Sequence, residues 1–267
     1  MPQERTLLYA GHEFTVEHVR AHAHTGPDWS APYTLATRRI VFPTGRALLD
    51  VRSGDSTWLV DGLTAMHFGE AMVYQLRLAA RGVRHSMVVS RHAVPRADAA
   101  PLFCLLSPRA LYRVHVAQRR LRAGNASEES KGSDAATIAS LVAQLGTSRP
   151  QAPLKGAVAR AKRLLAETAD REARLSLHEV ADAVSRSPFH LARSFREQTG
   201  LSLHQYRQHL RLAAAMERLA EGDADLAGIA HDLGYCSQSH LGAVFRRETD
   251  VTLGEARHAL GTPAARI

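Results

Sequence analysis

Two clusters of side chains near the end of the chain have the types and spacing of groups that contact a nucleic acid duplex. Arg186, Ser187, Phe189, His190, Arg193 and Arg196 fall on one face of a stretch with helical period. Gln238, Ser239, His240, Gly242, Arg246 and Arg247 take similar places in a second stretch. A guanidinium at Arg193 can meet a guanine edge with two hydrogen bonds or clamp a phosphate. Its solvated alternative is an ion pair with Glu197 one turn on. The second cluster has Ala243 where the first has Arg193. Gln238 is its best base reader, and Arg246 and Arg247 suit the backbone. A third set is made of histidines: His12, His18, His22, His24, His67, His85 and His92. His22-Ala-His24 puts two imidazoles on one face of a strand, with Asp28 four residues on, as chelation requires. With 15 histidines in the chain such pairs arise by chance. No metal, cofactor or catalytic residue is therefore assigned, and the motifs GxGxxG, GKS/T, HExxH and GxSxG are absent.

Helices must hold the first two clusters in place. From Leu154 onward the apolar period is helical, and this segment contains an internal repeat. Leu177 to Val184 pairs with Leu226 to Leu233. After one extra residue in the second turn, Ser187 to Leu203 pairs with Ser237 to Leu253, with seven of 17 positions identical. Chance would give about one or two at ordinary residue frequencies. Each copy reads as a short helix, a tight turn and a second helix. Val180, Ala181 and Val184 form the buried stripe of the first leading helix, and Ser187-Pro188 caps the helix that follows. Leu191 and Phe195 anchor it, as Leu241, Val244 and Phe245 anchor its counterpart after Gly234 and Ser237. This is the helix-turn-helix pattern, in which the second helix enters a major groove. Leu203 to Ala220 forms one helix between the copies, with Tyr206, Leu210, Ala213 and Ala214 on one face. A helix of about 17 residues spans roughly 25 Å, so it can hold two recognition helices near one DNA turn, ~34 Å apart.

The earlier part has a different period. Met72, Tyr74, Leu76 and Leu78 alternate as in a half-buried strand, and Ala47, Leu49 and Val51 do so less cleanly. Ser53-Gly54-Asp55 and Asp61-Gly62 are turn signals, and 86–89 and 102–106 are later strands. Residues 1–106 thus form a β-rich domain, a sandwich or small barrel. Residues 107–145 supply two helices. The first opens at Ser107-Pro108 with Leu111, Val114 and Leu121 on one face. The second follows a polar connector, 122–132, and runs from Ser133 with Ile138, Leu141, Val142 and Leu145 as a stripe suited either to a homodimer contact or to packing on the chain's own β-rich domain. Residues 146–153 read as a linker, and 154–267 as the all-α domain.

Composition narrows the classes. The 267 residues imply two domains by default. Lys plus Arg number 34 against 26 Asp plus Glu, a net +8. From Pro150 onward the counts are 16 and 14, so most of the excess lies outside the helical repeat, and charge alone argues weakly for a nucleic acid partner. Cys104 and Cys236 cannot build a disulfide scaffold. No apolar run approaches the ~18 residues of a membrane span, and Met-Pro-Gln-Glu-Arg does not open a signal peptide, so a cytoplasmic protein with no membrane partner is expected.

The residues Ala181, Ser187, His190-Leu-Ala-Arg193-Ser-Phe195-Arg196, Thr199-Gly200, Tyr206 and Arg211-Leu212 resemble the DNA-binding domain of AraC/XylS transcription regulators. So do Ile229-Ala230, Gly234-Tyr235, Ser239-His240-Leu241 and Phe245-Arg246-Arg247, and the resemblance covers roughly residues 153–262. It implies seven helices with two helix-turn-helix units on one face of double-stranded DNA. It also implies activation more often than repression, and contact with RNA polymerase. The sequence departs from the family at Ala243, at Asp250 in place of glycine, at Leu253 in place of proline, and at Ala256 in place of tyrosine. Family members commonly carry a cupin-like β-barrel before this domain, which residues 1–106 fit loosely. There Trp29, Trp58, Phe68 and Tyr74 could line the pocket of a small-molecule effector. The expected function is a sequence-specific, DNA-binding transcription regulator. The rival is a metal-dependent cupin enzyme fused to a DNA-binding module.

Overall fold

The computed structural model describes residues 3–22, 29–45, 48–78, 83–91, 101–123, 128–147, 150–169, 175–223 and 225–261. Its first part holds strands β1 (Gln3–Ala10), β2 (Phe14–His22), β3 (Tyr33–Thr34), β4 (Arg38–Pro43) and β5 (Leu49–Ser53). These are followed by β6 (Ser56–Val60), β7 (Thr64–Phe68), β8 (Val73–Leu78), β9 (Val83–Arg91) and β10 (Leu102–Leu105). They form a six-stranded sheet, β1-β2-β9-β4-β7-β10, and a four-stranded sheet, β3-β8-β5-β6. The described pairings leave both sheets open, so they make a stacked pair, as in the sandwich alternative, and not the closed cupin-like barrel that the resemblance implies. The alternation expected at Tyr74 and Leu76 is present, and β5 begins at Leu49, with Arg46 and Ala47 outside the described residues.

Both faces of the larger sheet are covered. Val19, Val41, Met66, Val88 and Phe103 pack against Val51, Trp58 and Leu76 of the smaller sheet. Residues of the opposite parity, among them Phe14, Ile40, Ala65, Met87 and Val89, belong to a second core that continues into the helices. A strand buried on both faces loses its alternation, which is why 86–89 reads as a short apolar run.

Helix α1 (Pro108–Arg122) starts as expected: the Ser107 hydroxyl accepts from the Ala110 amide, and Pro108 fills the first turn. Helix α2 (Glu128–Thr147) starts earlier than expected and takes in part of the polar connector. Gly132 costs a helix about 1 kcal/mol, and burial of Ala135, Ile138 and Leu141 outweighs that. Residues 124–127 and the side chain of Leu145 lie outside the described residues. Ile138 and Leu141 are buried within the chain, so the stripe expected as a dimer contact faces inward. Within the expected linker, of which 148–149 lie outside the described residues, the Gln151 amide donates to the Phe103 carbonyl at 2.6 Å, which ties this segment to β10.

The last part consists of α3 (Gly156–Glu167), α4 (Leu177–Ala183), α5 (Pro188–Thr199), α6 (Leu203–Ala220), α7 (Leu226–Asp232), α8 (Gln238–Thr249) and α9 (Leu253–Leu260). Helix α1 packs against α6, α8 and α9. There Tyr112 meets Phe245 edge-on at 6.2 Å, and Arg119 donates to the Gly261 carbonyl at 3.1 Å.

Candidate nucleic-acid interface

The two repeat copies adopt matching backbone solutions. In the first, Ser176 and Glu179 form a capping box on α4. The chain then turns at Ser185 (φ +54°), and the Arg186 amide donates to the Ala181 carbonyl at 3.0 Å. In the second, Asp225 caps α7, Gly234 (φ +72°) makes the turn, and the Tyr235 amide donates to the Ala230 carbonyl at 2.8 Å. A left-handed turn suits Gly234 and strains Ser185. Ser187 and Ser237 then cap α5 and α8 through the His190 and His240 amides.

Most of the repeat identities have packing causes. Leu191, Phe195, Leu241 and Phe245 are fully buried. Thr199 donates to the Phe195 carbonyl and accepts from the Leu201 amide, and Thr249 does the same with Phe245 and Val251. Helix α5 ends at Gly200 (φ +81°) and α8 at Asp250 (φ +64°), the position where the family has glycine. Asp250 is tied to Arg109 of α1 at 2.8 Å, so the departure is matched by a partner from an earlier helix. The identical pair Arg196 and Arg246 is exposed, so packing does not account for it.

Arg186, Phe189, His190, Arg193 and Arg196 are exposed on and beside α5, and Phe189 retains 73% of its surface. Gln238, Ser239, Arg246 and Arg247 are exposed on α8, with Gly242 half-buried among them. The Arg193 guanidinium bonds Glu197 at 2.9 Å, which holds it more firmly charged. Arg247 pairs with Glu248 at 3.1 Å. His240 is exposed, but its ring meets Tyr235 edge-on at 5.4 Å and its Nδ1 accepts from the Cys236 amide at 3.5 Å, which orients it as part of the turn. Ser187 spends its oxygen on the helix cap.

A polar network between the β-rich part and the helices was missed in the sequence. Lys162 of α3 is 4% exposed and donates to the Leu59 carbonyl at 2.7 Å and to Thr64 at 3.3 Å. Its Nζ lies 3.8 Å from Asp61, which also accepts from the Tyr206 hydroxyl. Arg163 and Arg77 both bind Asp50, at 2.8 and 2.9 Å. One signal was available: Lys162 stands inside the apolar stripe Val158, Ala161, Leu165, where a solvated lysine does not belong.

The histidine and aromatic expectations resolve differently. His22 pairs with Glu4 at 3.4 Å, and His24, Asp28 and His92 lie outside the described residues. Among the described residues no group of three or more His, Cys, Asp or Glu could hold a metal. His18 Nε2 lies 3.2 Å from His85 Nδ1, and burial, followed by Arg122, lowers the His18 pKa to about 4. Trp58, Phe68 and Tyr74 are core, stacked with Phe103 and one another, and Trp29 lies between Arg52 and Arg77. No described helix is long and apolar enough to cross a membrane.

Comparison with known proteins places this geometry. A helix-turn-helix domain family model matches residues 180–259. The regulatory protein SoxS of Salmonella typhimurium is 38% identical over 86 residues, 32% of this chain and 80% of SoxS. The HTH-type transcriptional activator RhaS of Escherichia coli K12 is 32% identical over 134 residues, and the match spans about half of each protein, 50% of this chain and 48% of RhaS. Among solved structures, ToxT from Vibrio cholerae overlays 94% of this chain at 9% identity with a TM-score of 0.40.

Proposed function

The chain belongs to the AraC/XylS family of DNA-binding transcription regulators, and from that premise we propose that it recognises promoter DNA sequence-specifically, with an activating role and a small effector sensed by residues 1–106. The observation that carries this reading is the division of labour in each repeat copy. The buried face of α5 and α8 is consumed by the core, while the opposite face keeps Arg186, Phe189, Arg193, Arg196, Gln238, Arg246 and Arg247 at the surface. RhaS is by name a transcriptional activator, which supports the activating role; contact with RNA polymerase belongs to the same reading. SoxS is by name a regulatory protein and RhaS a transcriptional activator, which favours this reading over the fused metal enzyme.

The test is genome-wide mapping of promoters bound by the full-length protein, followed by titration of the mapped sites. Selective binding whose affinity falls steeply with salt is expected, because phosphate contacts release counterions. Equal affinity for operator and random duplex at every salt concentration would overturn it.

A further inference from the structure

A groove of about 460 Å³ runs between α3 and α5, beside the recognition surface. His190, Ser194 and Gln198 form one row along α5 and line its near wall, with Arg186 one turn earlier. Phe189, Arg193 and Arg196 belong to the adjoining, outward row. The far wall begins with Lys155, the residue that opens α3. No acidic side chain is among the described lining. The acid on this side of α5, Glu197, is engaged by Arg193 at 2.9 Å. Lys155 and Arg186 are exposed, and among the described residues no carboxylate pairs with either. The groove is therefore a cationic trough open to a partner.

Its place beside α5 says which partner. A DNA major groove is about 12 Å wide, close to the ~10–12 Å diameter of a helix, so a helix seated in it has a phosphodiester strand along each side. With the Phe189, Arg193 and Arg196 row against the base edges, the strand on the α3 side passes over the trough. We propose that Lys155 and Arg186 clamp a backbone phosphate of the first half-site there, so that the segment joining the two parts of the chain itself holds DNA. This rests on the regulator reading above. It adds a contact from outside both helices of the first helix-turn-helix unit. The lysine is held in register with α5: Arg160 of α3 donates to the Val184 carbonyl at 2.9 Å, just before the turn that carries Arg186. Four residues before Lys155, the Gln151 amide is held by Phe103 of β10, so the β-rich part helps to place it.

The test is titration of the full-length protein with operator and with random duplex over a series of KCl concentrations. Phosphate contacts carry no sequence information. Lys155→Gln should therefore weaken both duplexes alike, at least threefold, and lower the salt slope by ~0.9, the value of one phosphate. Ser194→Glu, which puts a carboxylate into the trough, should weaken both duplexes while circular dichroism stays at wild type. Operators carrying single neutral methylphosphonates should reveal a position flanking the first half-site where replacement weakens the wild type and leaves Lys155→Gln unchanged. Wild-type affinity and slope in Lys155→Gln, a changed ratio of operator to random binding, or no such methylphosphonate position would overturn the proposal. Titration with inorganic phosphate and with adenosine monophosphate in the absence of DNA covers the other source of the same chemistry. Saturable binding of either that is lost in Lys155→Gln would assign the trough to a free anion and overturn it too. Selective operator binding by the wild type together with any of these failures removes the clamp alone. Without selectivity in the wild type the regulator reading falls, and the salt slope on random duplex still decides the clamp.

Discussion

The hydroxyl of Tyr206, on the helix that joins the two helix-turn-helix units, donates a hydrogen bond to Asp61, 145 residues earlier in the turn between β6 and β7. Asp61 is fully buried, and Lys162 approaches the same carboxylate from α3. The β-rich part is therefore fastened to both α3 and α6 by one acidic side chain. Burial lowers the Lys162 pKa, and the nearby Asp61 offsets only part of that shift, so the amine depends on this partner to stay charged.

Removing that partner should be costly. Asp61→Ala leaves a buried amine without its counter-charge and a buried phenol without its acceptor, and breaking a buried pair in this way costs about 3–5 kcal/mol. Urea unfolding of Asp61→Ala checks it. The double variant Asp61→Leu, Lys162→Met should recover part of the loss, because both charges of the pair go together, while Arg84 and the Tyr206 hydroxyl still lose Asp61. A single-variant loss within about 0.5 kcal/mol of wild type, the range of ordinary surface changes, would show that water already reaches the site.

Arg193 tests the recognition surface. Its pair with Glu197 is 70% and 60% exposed, so it does little for the fold and leaves the guanidinium free to exchange partners. Arg193→Ala should weaken specific operator binding at least tenfold without changing the unfolding midpoint. Ala243 offers no donor in the second unit, so operator changes in the first half-site should cost more than those in the second. A base-substitution scan with wild type and Arg193→Ala reads both effects, and equal sensitivity of the half-sites refutes the asymmetry.

Stability should fall on acidification below neutral pH. Burial lowers the pKa of His115 to about 4, and burial followed by Arg122 does the same for His18, against an ordinary value of 6.5. Between those values the unfolded chain binds protons that the folded chain does not. The histidine contribution is thus complete above 6.5 and is lost as pH falls toward 4. Urea midpoints at pH 7.5 and 5.0 should differ less in His115→Gln than in wild type. An identical pH slope in the two proteins would remove His115 from the account.

Leu141 separates an internal role from an oligomeric one. It is 2% exposed and belongs to the core shared by α1, α2 and the larger sheet. Leu141→Asp should lower the unfolding midpoint strongly, since core truncation of leucine alone costs about 2–5 kcal/mol and the new carboxylate has no partner. Sedimentation and thermal melts of the same sample distinguish the cases. A stable, fully folded monomer replacing a wild-type dimer would return this stripe to the subunit interface.

The sequence alone determined the doubled helix-turn-helix. Its signals are local: Ser187 and Ser237 cap, Leu191 and Phe195 recur one turn apart, and the Ser, Leu, Phe and Thr identities encode the same turns twice. Period and capping act within a few residues, so they are legible without a fold. The tertiary structure decided what faces what. The two-sided burial of the larger sheet erased the alternation that marks its strands, and the inward turn of Ile138 and Leu141 depends on a sheet assembled from distant segments. Asp61-Gly62 looked like an ordinary turn because its partners, Lys162 and Tyr206, lie 101 and 145 residues away. Arg38 of β4 likewise comes to face Arg91 of β9 only through the register of the two strands. Pairings across such separations are set by packing and strand register, and the chain near each residue carries no record of them.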